Sequence, residues 1–171
     1  IGLSPHGTGT VTVPSGHESR AGFTADSLAN KSYVDAVANG LDVKKSCRAA
    51  STSNLSATYN NGAGTLTASA NGAISIDGVS LTTDDRVIVK DQTAPAQNGF
   101  YKVTTIGSGS AAYVLTRTPD GDEASELNGG AFTFVEEGST NADNGYVVTT
   151  NGTVTLGTTS ITIEQFSGAG Q

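Results

Sequence analysis

The sequence predicts an all-β fold: a compact antiparallel barrel or sandwich, preceded by a short helical neck and an N-terminal β extension. Threonine and other β-branched residues recur in short runs that alternate polar and apolar positions, as in half-buried strands. Many of the 22 glycines follow Asn or Asp, and such dipeptides favour the positive φ of hairpin turns. Charged residues make up only 15% of the chain, which argues against disorder driven by charge.

Residues 1–25 are predicted to form a β extension with one short strand. The stretch from Thr8 to Val13 alternates between apolar and polar positions, and Pro5 and Pro14 lie on either side of it, where their missing N–H groups are tolerated. This strand offers too little apolar surface to form a core. We therefore expect it to pack on the main domain or on another chain.

Residues 26–41 are predicted to form a short helix that stops at Gly40, with Asn30 as its N-cap and Asp26 and Ser27 as competing candidates. At about 10 residues, it is shorter than the ~12–15 residues at which isolated helices become marginally stable. Its apolar stripe is as narrow as a coiled-coil seam and consists of Val34, Val37 and Leu41, flanked by Tyr33 and Ala38. Two interpretations remain open here: the helix lies across the β domain, or copies of it pack together in a neck.

Residues 42–166 are predicted to form the β domain, and residues 167–171 a linker to a further region. The predicted strands are Val43 to Ala49, Gly64 to Ala68, Ala73 to Ile76, Arg86 to Lys90, Gly99 to Thr104, Tyr113 to Arg117, Ala131 to Val135, Tyr146 to Thr149, Thr153 to Leu156, and Ser160 to Phe166. Asn-Gly and Asp-Gly dipeptides predict that tight hairpins make most joins. The aromatic residues expected in the core are Phe100, Tyr101, Phe132, Phe134 and Tyr146. Phe166 falls out of phase with the alternation before it, which predicts a bulge or a strand end there.

Composition excludes several classes of function. The net charge of −7 makes nucleic-acid binding unfavourable, because an acidic surface repels phosphates. No apolar run approaches the ~20 residues of a transmembrane helix, so no membrane insertion is expected. Cys47 is the only cysteine, which rules out an intrachain disulfide and fits folding in a reducing cytoplasm. Because the first residue is Ile1 and not Met, we expect the chain to be part of something longer.

The residues predict no enzyme, no cofactor and no metal. His6 and His17 both lie in the N-terminal extension, away from a core that could orient a catalytic base. The neighbouring carboxylates Asp84-Asp85 and Glu136-Glu137 point to opposite faces if they lie on strands, so neither forms the facing pair of a glycosidase. The remaining acidic cluster, in "PDGDEASE", consists of Asp120, Asp122, Glu123 and Glu126. It resembles half of a calcium loop, but Ala124 stands where a ligand is needed.

Four stretches carry a resemblance to a known family: "TVTVPSGHESRAGF", "NKSYVDAVANGLDVKKSCRAAS", "SIDGVSLTTDDRVIVKDQTAPAQNGFYKV" and "LNGGAFTFVEEGSTNADNGYVVTT". From Thr8 to Gln171 the chain resembles tail-fibre and related virion structural proteins of tailed bacteriophages. One departure is Cys47, where such fibres more often have valine.

The resemblance implies a homotrimeric component of a virion tail, assembled in the host cytoplasm. Its partners would be other tail or baseplate proteins, with a host cell-surface glycan or protein as a further candidate. The helix would be a trimeric neck with Tyr33, Val34, Val37 and Leu41 at the interface. Two alternatives stay open. One is a monomeric or trimeric module that binds host glycans, with Tyr59 as a candidate contact, and the other is a polysaccharide depolymerase.

Overall fold

A computed structural model describes residues 42–167, which belong to one compact unit that begins at Asp42. The predicted N-terminal extension lies outside the described residues. So do the predicted neck, with Tyr33, Val34, Val37 and Leu41, and the predicted linker beyond Ser167. The two histidines, His6 and His17, also lie outside them.

The prediction of an all-β fold is confirmed for the described residues. The strands are β1 (Ala49–Ala50), β2 (Ala57–Asn60), β3 (Thr65–Ala68), β4 (Ser75–Ile76), β5 (Val79–Ser80), β6 (Arg86–Val89), β7 (Gly99–Thr105), β8 (Val114–Arg117), β9 (Phe132–Phe134), β10 (Gly145–Val148) and β11 (Ile163–Ser167). The helical elements are the short 3₁₀ helices Pro95–Gln97 and Ala124–Leu127.

Of the two predicted architectures, an antiparallel barrel or a sandwich, the barrel is wrong, because the sheets are open. A six-stranded sheet has the order β1-β6-β7-β8-β3-β2, a three-stranded sheet has the order β11-β10-β9, and β4 pairs with β5 alone. The edge strands β1 and β2 of the large sheet do not pair with each other. A barrel needs that closing pair, since closure is what removes the edges of a sheet.

The segment that opens the domain belongs to both larger sheets. Val43 and Cys47 form parallel bridges with Phe132 and Val135, at and just beyond β9, whereas β1 runs parallel to β6 two residues later. The chain therefore crosses from one sheet to the other between Cys47 and Ala49. The predicted single strand from Val43 to Ala49 is wrong, because its backbone hydrogen bonds are divided between two sheets.

The strand β7 separates the two halves of the core. Phe100 points to one face and Tyr101 to the other, as alternation along a strand requires. Phe100 packs in a cluster between the six-stranded and three-stranded sheets, together with Cys47, Ala50, Ile88, Leu127, Ala131, Val135, Tyr146, Val148, Val154 and Ile161. Tyr101 packs in a second cluster that includes Leu66, Ile74, Ile76, Leu81, Val87, Val89, Val103 and Leu115. The expectation of a buried Phe100, Tyr101 and Tyr146 is confirmed.

Other differences from the predicted strands come from local hydrogen bonding. The strands β2 and β5 were not predicted, and the predicted strand from Thr153 to Leu156 does not form. There the N–H groups of Thr158 and Thr159 donate to the Thr155 carbonyl, so the segment closes a turn and pairs with no strand.

The prediction of tight hairpins holds at two joins, one of them the four-residue turn between β2 and β3, and is wrong for the others. Asp77 and Gly78 have φ of 50° and 80° and form the two-residue turn between β4 and β5. The remaining joins between consecutive paired strands are longer loops.

Candidate interaction surface

The outer face of the three-stranded sheet carries an apolar patch, here called the phenylalanine face. It consists of Val43, Phe132, Phe134, Val147 and Phe166. Along β9, Thr133 points inward and is buried, so the phenylalanines on either side of it point outward. Along β10, the buried Tyr146 and Val148 likewise leave Val147 on the outer face. The expectation that Phe132 and Phe134 lie in the core is therefore wrong.

The three phenylalanine rings pack edge to face. Ring centroids lie 6.3 Å apart for Phe132 and Phe134, 5.7 Å for Phe132 and Phe166, and 5.8 Å for Phe134 and Phe166. These spacings are typical of favourable aromatic pairs. The cluster is nevertheless open to solvent, because Phe134 and Phe166 keep 48% and 49% of their surface exposed.

A bulge at Gly145 positions Phe166 on this face. Gly145 pairs with Ser167 while Tyr146 pairs with Gln165, so Phe166 is the extra residue between the two pairs. The predicted irregularity at Phe166 is confirmed. A Cβ atom at position 145 would lie 2.6 Å from the Ser167 hydroxyl and 2.7 Å from the Phe166 ring, so any other residue there would displace these side chains.

Both ends of the described chain meet at the phenylalanine face. The N–H of Phe132 donates to the Asp42 carbonyl at 2.9 Å, and the N–H of Lys44 donates to the Phe132 carbonyl at 2.8 Å. Val43, between them, is 60% exposed. The Lys44 ammonium group is buried and lies 3.0 Å from the Asp42 carboxylate. At the other end, β11 places Phe166 on the face one residue before its last residue, Ser167.

The neighbouring carboxylates flagged in the sequence have separate partners. Asp85 accepts hydrogen bonds from Arg48 at 2.5 Å and from the Thr82 N–H at 2.6 Å, whereas Asp84 lies 3.4 Å from Lys102. In the second pair, Glu137 accepts from Arg48 and Glu136 accepts from the Ser46 hydroxyl. Neither pair forms the facing carboxylates that glycoside hydrolysis needs.

The carboxylates of the acidic segment from Asp120 to Glu126 accept hydrogen bonds from nearby groups of the protein. Both oxygens of Asp120 accept from the Arg86 guanidinium, at 2.7 and 2.8 Å. Glu126 Oε2 accepts from the backbone N–H groups of Asp122 and Glu123. Among residues 42–167, no group of three or more His, Cys, Asp or Glu side chains is arranged to hold a metal ion.

Cys47 is fully buried between the sheets, with its sulfur 3.8 Å from the Thr133 hydroxyl. Burial raises the pKa of the thiol to about 11, although the nearby Arg86 acts in the opposite direction. The thiol is therefore protonated at neutral pH and a poor nucleophile.

Comparisons with known proteins add no relative: no family model, no curated protein and no solved structure matches this chain. Within the part of the chain that the structure describes, no helix has the length and apolar character needed to span a bilayer. Sequence reasoning missed the phenylalanine face. Its signal was the alternation Phe132-Thr133-Phe134, which places both phenylalanines on one side of a strand without saying which side is buried.

Proposed function

We propose that the chain is a homotrimeric structural component of a phage tail fibre or spike, without catalytic activity, that helps to position or attach the virion at its host. The observation that supports this proposal best is the exposed phenylalanine face at the point where the chain enters the β domain. The homotrimeric state and the place in a virion tail are what the resemblance to tail-fibre proteins implies.

The phenylalanine face has the character of a surface that another copy covers. Within the described residues, the large hydrophobic side chains that are exposed are Val43, Ile106, Phe134 and Phe166. Three of these four belong to this face, and single exposed apolar residues elsewhere need no explanation. Covering a large apolar side chain contributes about 1.5–3 kcal/mol.

The position of the face also favours copies of this chain as the occupant. Val43 lies on this face and is the second of the described residues, so the face stands where the chain enters the β domain. Around a threefold axis, the same surface on each copy meets a different surface of its neighbour, and the ring closes.

The mass of the full chain in solution tests this proposal. We expect light scattering to give three times the 17.2 kDa of one chain. A mass of one chain at micromolar concentration would contradict the trimer and favour the alternative of a monomeric glycan-binding module.

Replacing Phe134 and Phe166 together with serine tests the role of the face. We expect the trimer of this variant to dissociate at concentrations at least tenfold higher than the trimer of the unchanged chain. A tenfold change in affinity corresponds to about 1.4 kcal/mol, which is less than the free energy gained by burying one phenylalanine side chain. Ile106→Ser is the matched control, because Ile106 is the remaining exposed large hydrophobic residue and lies off the face. Equal dissociation of both variants would show that the face is not an interface.

Val37→Asp tests the neck in the same assay. It would bring three carboxylates together in an apolar seam, where like charges are poorly solvated. We expect loss of the trimer, and an unchanged trimer with unchanged melting would show that the neck assignment is wrong.

A further inference from the structure

A polar pocket opens at the end of the six-stranded sheet, away from the residues of the phenylalanine face. Its volume is about 320 Å³, within the range of small-molecule sites. It is lined by the turn after β2, the end of β8, the acidic segment and the loop before β11, with Tyr59, Asn61, Arg117, Asp122, Glu123 and Leu156 among its walls.

Arg117 forms a rigid, charged wall of this pocket. It is 3% exposed, and its guanidinium carbon lies 4.9 Å from the Tyr101 ring centroid and 5.5 Å from that of Tyr59. The guanidinium donates to the Tyr59 hydroxyl at 3.1 Å and to backbone carbonyls of Asn98 and Ala96 at 3.2 Å. None of the carboxylates in residues 42–167 forms an ion pair with it, so its charge is balanced only by neutral groups.

The chain of hydrogen bonds continues from Arg117 to the pocket rim. The Tyr59 hydroxyl, which accepts from Arg117, donates to Asn61 Oδ1 at 3.1 Å. The Asn61 amide also lies against Gly157, where a Cβ atom would come within 2.5 Å of it. Asn61 is thus fixed through its oxygen, and its Nδ2 donates no hydrogen bond to any described residue.

Asp122 and Glu123 add negative charge to the lining of the pocket. Their backbone N–H groups donate to Glu126 Oε2 at 3.1 and 2.9 Å, and the Glu123 side chain accepts from the Glu126 N–H in a capping box. Both side chains are exposed and take part in no ion pair among the described residues. The pocket is therefore lined by residues that carry the Asp122 carboxylate, an amide donor and the ring of a half-buried tyrosine.

The charges that line the pocket select the class of ligand. A bound cation would meet the Arg117 guanidinium, and a bound anion would meet the carboxylates of Asp122 and Glu123. A neutral molecule with many hydroxyls avoids both, because its hydroxyls donate to carboxylates and accept from an amide. We propose that this pocket binds a neutral saccharide. The inference adds a ligand to the proposed attachment role and does not depend on the trimer.

Saturation-transfer NMR on the full chain tests the pocket. The probes are glucose, galactose, mannose and N-acetylglucosamine, each at about 10 mM to detect millimolar binding. We expect transfer to at least one of these sugars and a loss of at least tenfold in its affinity in Asp122→Ala and Asn61→Ala. Glu164→Ala is the matched control, because it removes an exposed carboxylate from β11, outside the pocket lining, and should leave binding unchanged.

Three results would overturn the proposal. They are no transfer to any of these sugars, transfer that persists unchanged in both pocket variants, and an equal loss in the control. A melting temperature that rises with calcium, without sugar binding, would make the acidic wall an ion site instead. The mass of each variant, measured in parallel, separates a failure of the pocket from a failure of the trimer.

Discussion

At the scale of single residues, Cys47 lies at the crossing between the two sheets. The backbone at Cys47 accepts from Glu136 and donates to Phe134, so its side chain is fixed in the core between the two larger sheets. The side chain fills space as a small hydrophobic group, with the Thr133 hydroxyl 3.8 Å from its sulfur.

We predict that the Cys47 thiol is inert in the folded protein. Its pKa, raised to about 11 by burial, leaves almost no thiolate at pH 8, and reagent reaches it only through opening of the fold. Modification by a chromogenic disulfide reagent should be slow in buffer and complete at once in denaturant. Rapid modification of the native protein would contradict the burial.

Cys47→Val provides the matched variant, since the two side chains are similar in volume. We expect its free energy of unfolding to change by less than about 1.5 kcal/mol.

At the scale of elements, hydrogen bonds from the Arg86 side chain join a strand to two segments outside the strands. Arg86, on β6, binds Asp120 with two hydrogen bonds and donates to the Lys45 carbonyl at 3.0 Å. Its guanidinium also lies 5.5 Å from the Phe100 ring centroid. One side chain thus connects the large sheet, the segment that opens the domain and the acidic segment. In the acidic segment, which resembles half of a calcium loop, the Asp120 carboxylate is therefore bound by an arginine side chain.

We predict that Asp120→Asn destabilises the domain at pH 7 by about 1 kcal/mol, the upper range for a partly exposed ion pair. Burial tends to raise the pKa of Asp120, but the hydrogen bonds from Arg86 and Thr118 outweigh it and the pKa is lowered. A lowered pKa stabilises the fold above the unfolded value of about 3.9, and this contribution is lost as pH falls through the folded value.

The melting temperatures of the two proteins should therefore differ at pH 7 and converge below about pH 4. A difference in melting temperature that stays constant from pH 7 to pH 3 would show that the charge of the Asp120 carboxylate does not stabilise its interaction with Arg86. Melting at pH 7 should also be indifferent to EDTA and to millimolar calcium, because Asp120 is engaged by Arg86.

Sequence patterns predicted the elements whose chemistry is local. The Asp77-Gly78 hairpin, the irregularity at Phe166 and most strands of the large sheet follow from turn residues and alternation. The orientation of β9 does not follow from the sequence pattern. Alternation determines which residues share a face of the strand, but it leaves open which face is buried. That choice depends on pairing with β10 and with the segment at Val43, which is distant in sequence. The Arg117 pocket was missed for the same reason, since its walls come from four separate segments.

At the scale of the whole molecule, folding and assembly are predicted to reside in different parts of the chain. Residues 42–167 hold two clusters of buried side chains, on opposite faces of the six-stranded sheet. The surface proposed for assembly consists of five side chains on one small sheet. Stable interfaces bury about 1,200–2,000 Å² in total, which is more than so small a patch supplies by itself.

We predict that a truncated chain of residues 42–167 folds but does not form trimers. Its circular dichroism should show β structure that is lost in one cooperative transition, because both core clusters are retained. Light scattering should give the mass of one chain, because the phenylalanine face lacks the neck that would hold the copies together. A disordered product would show that residues 1–41 complete the fold, and a stable trimer would show that the face alone suffices and that the neck is not required.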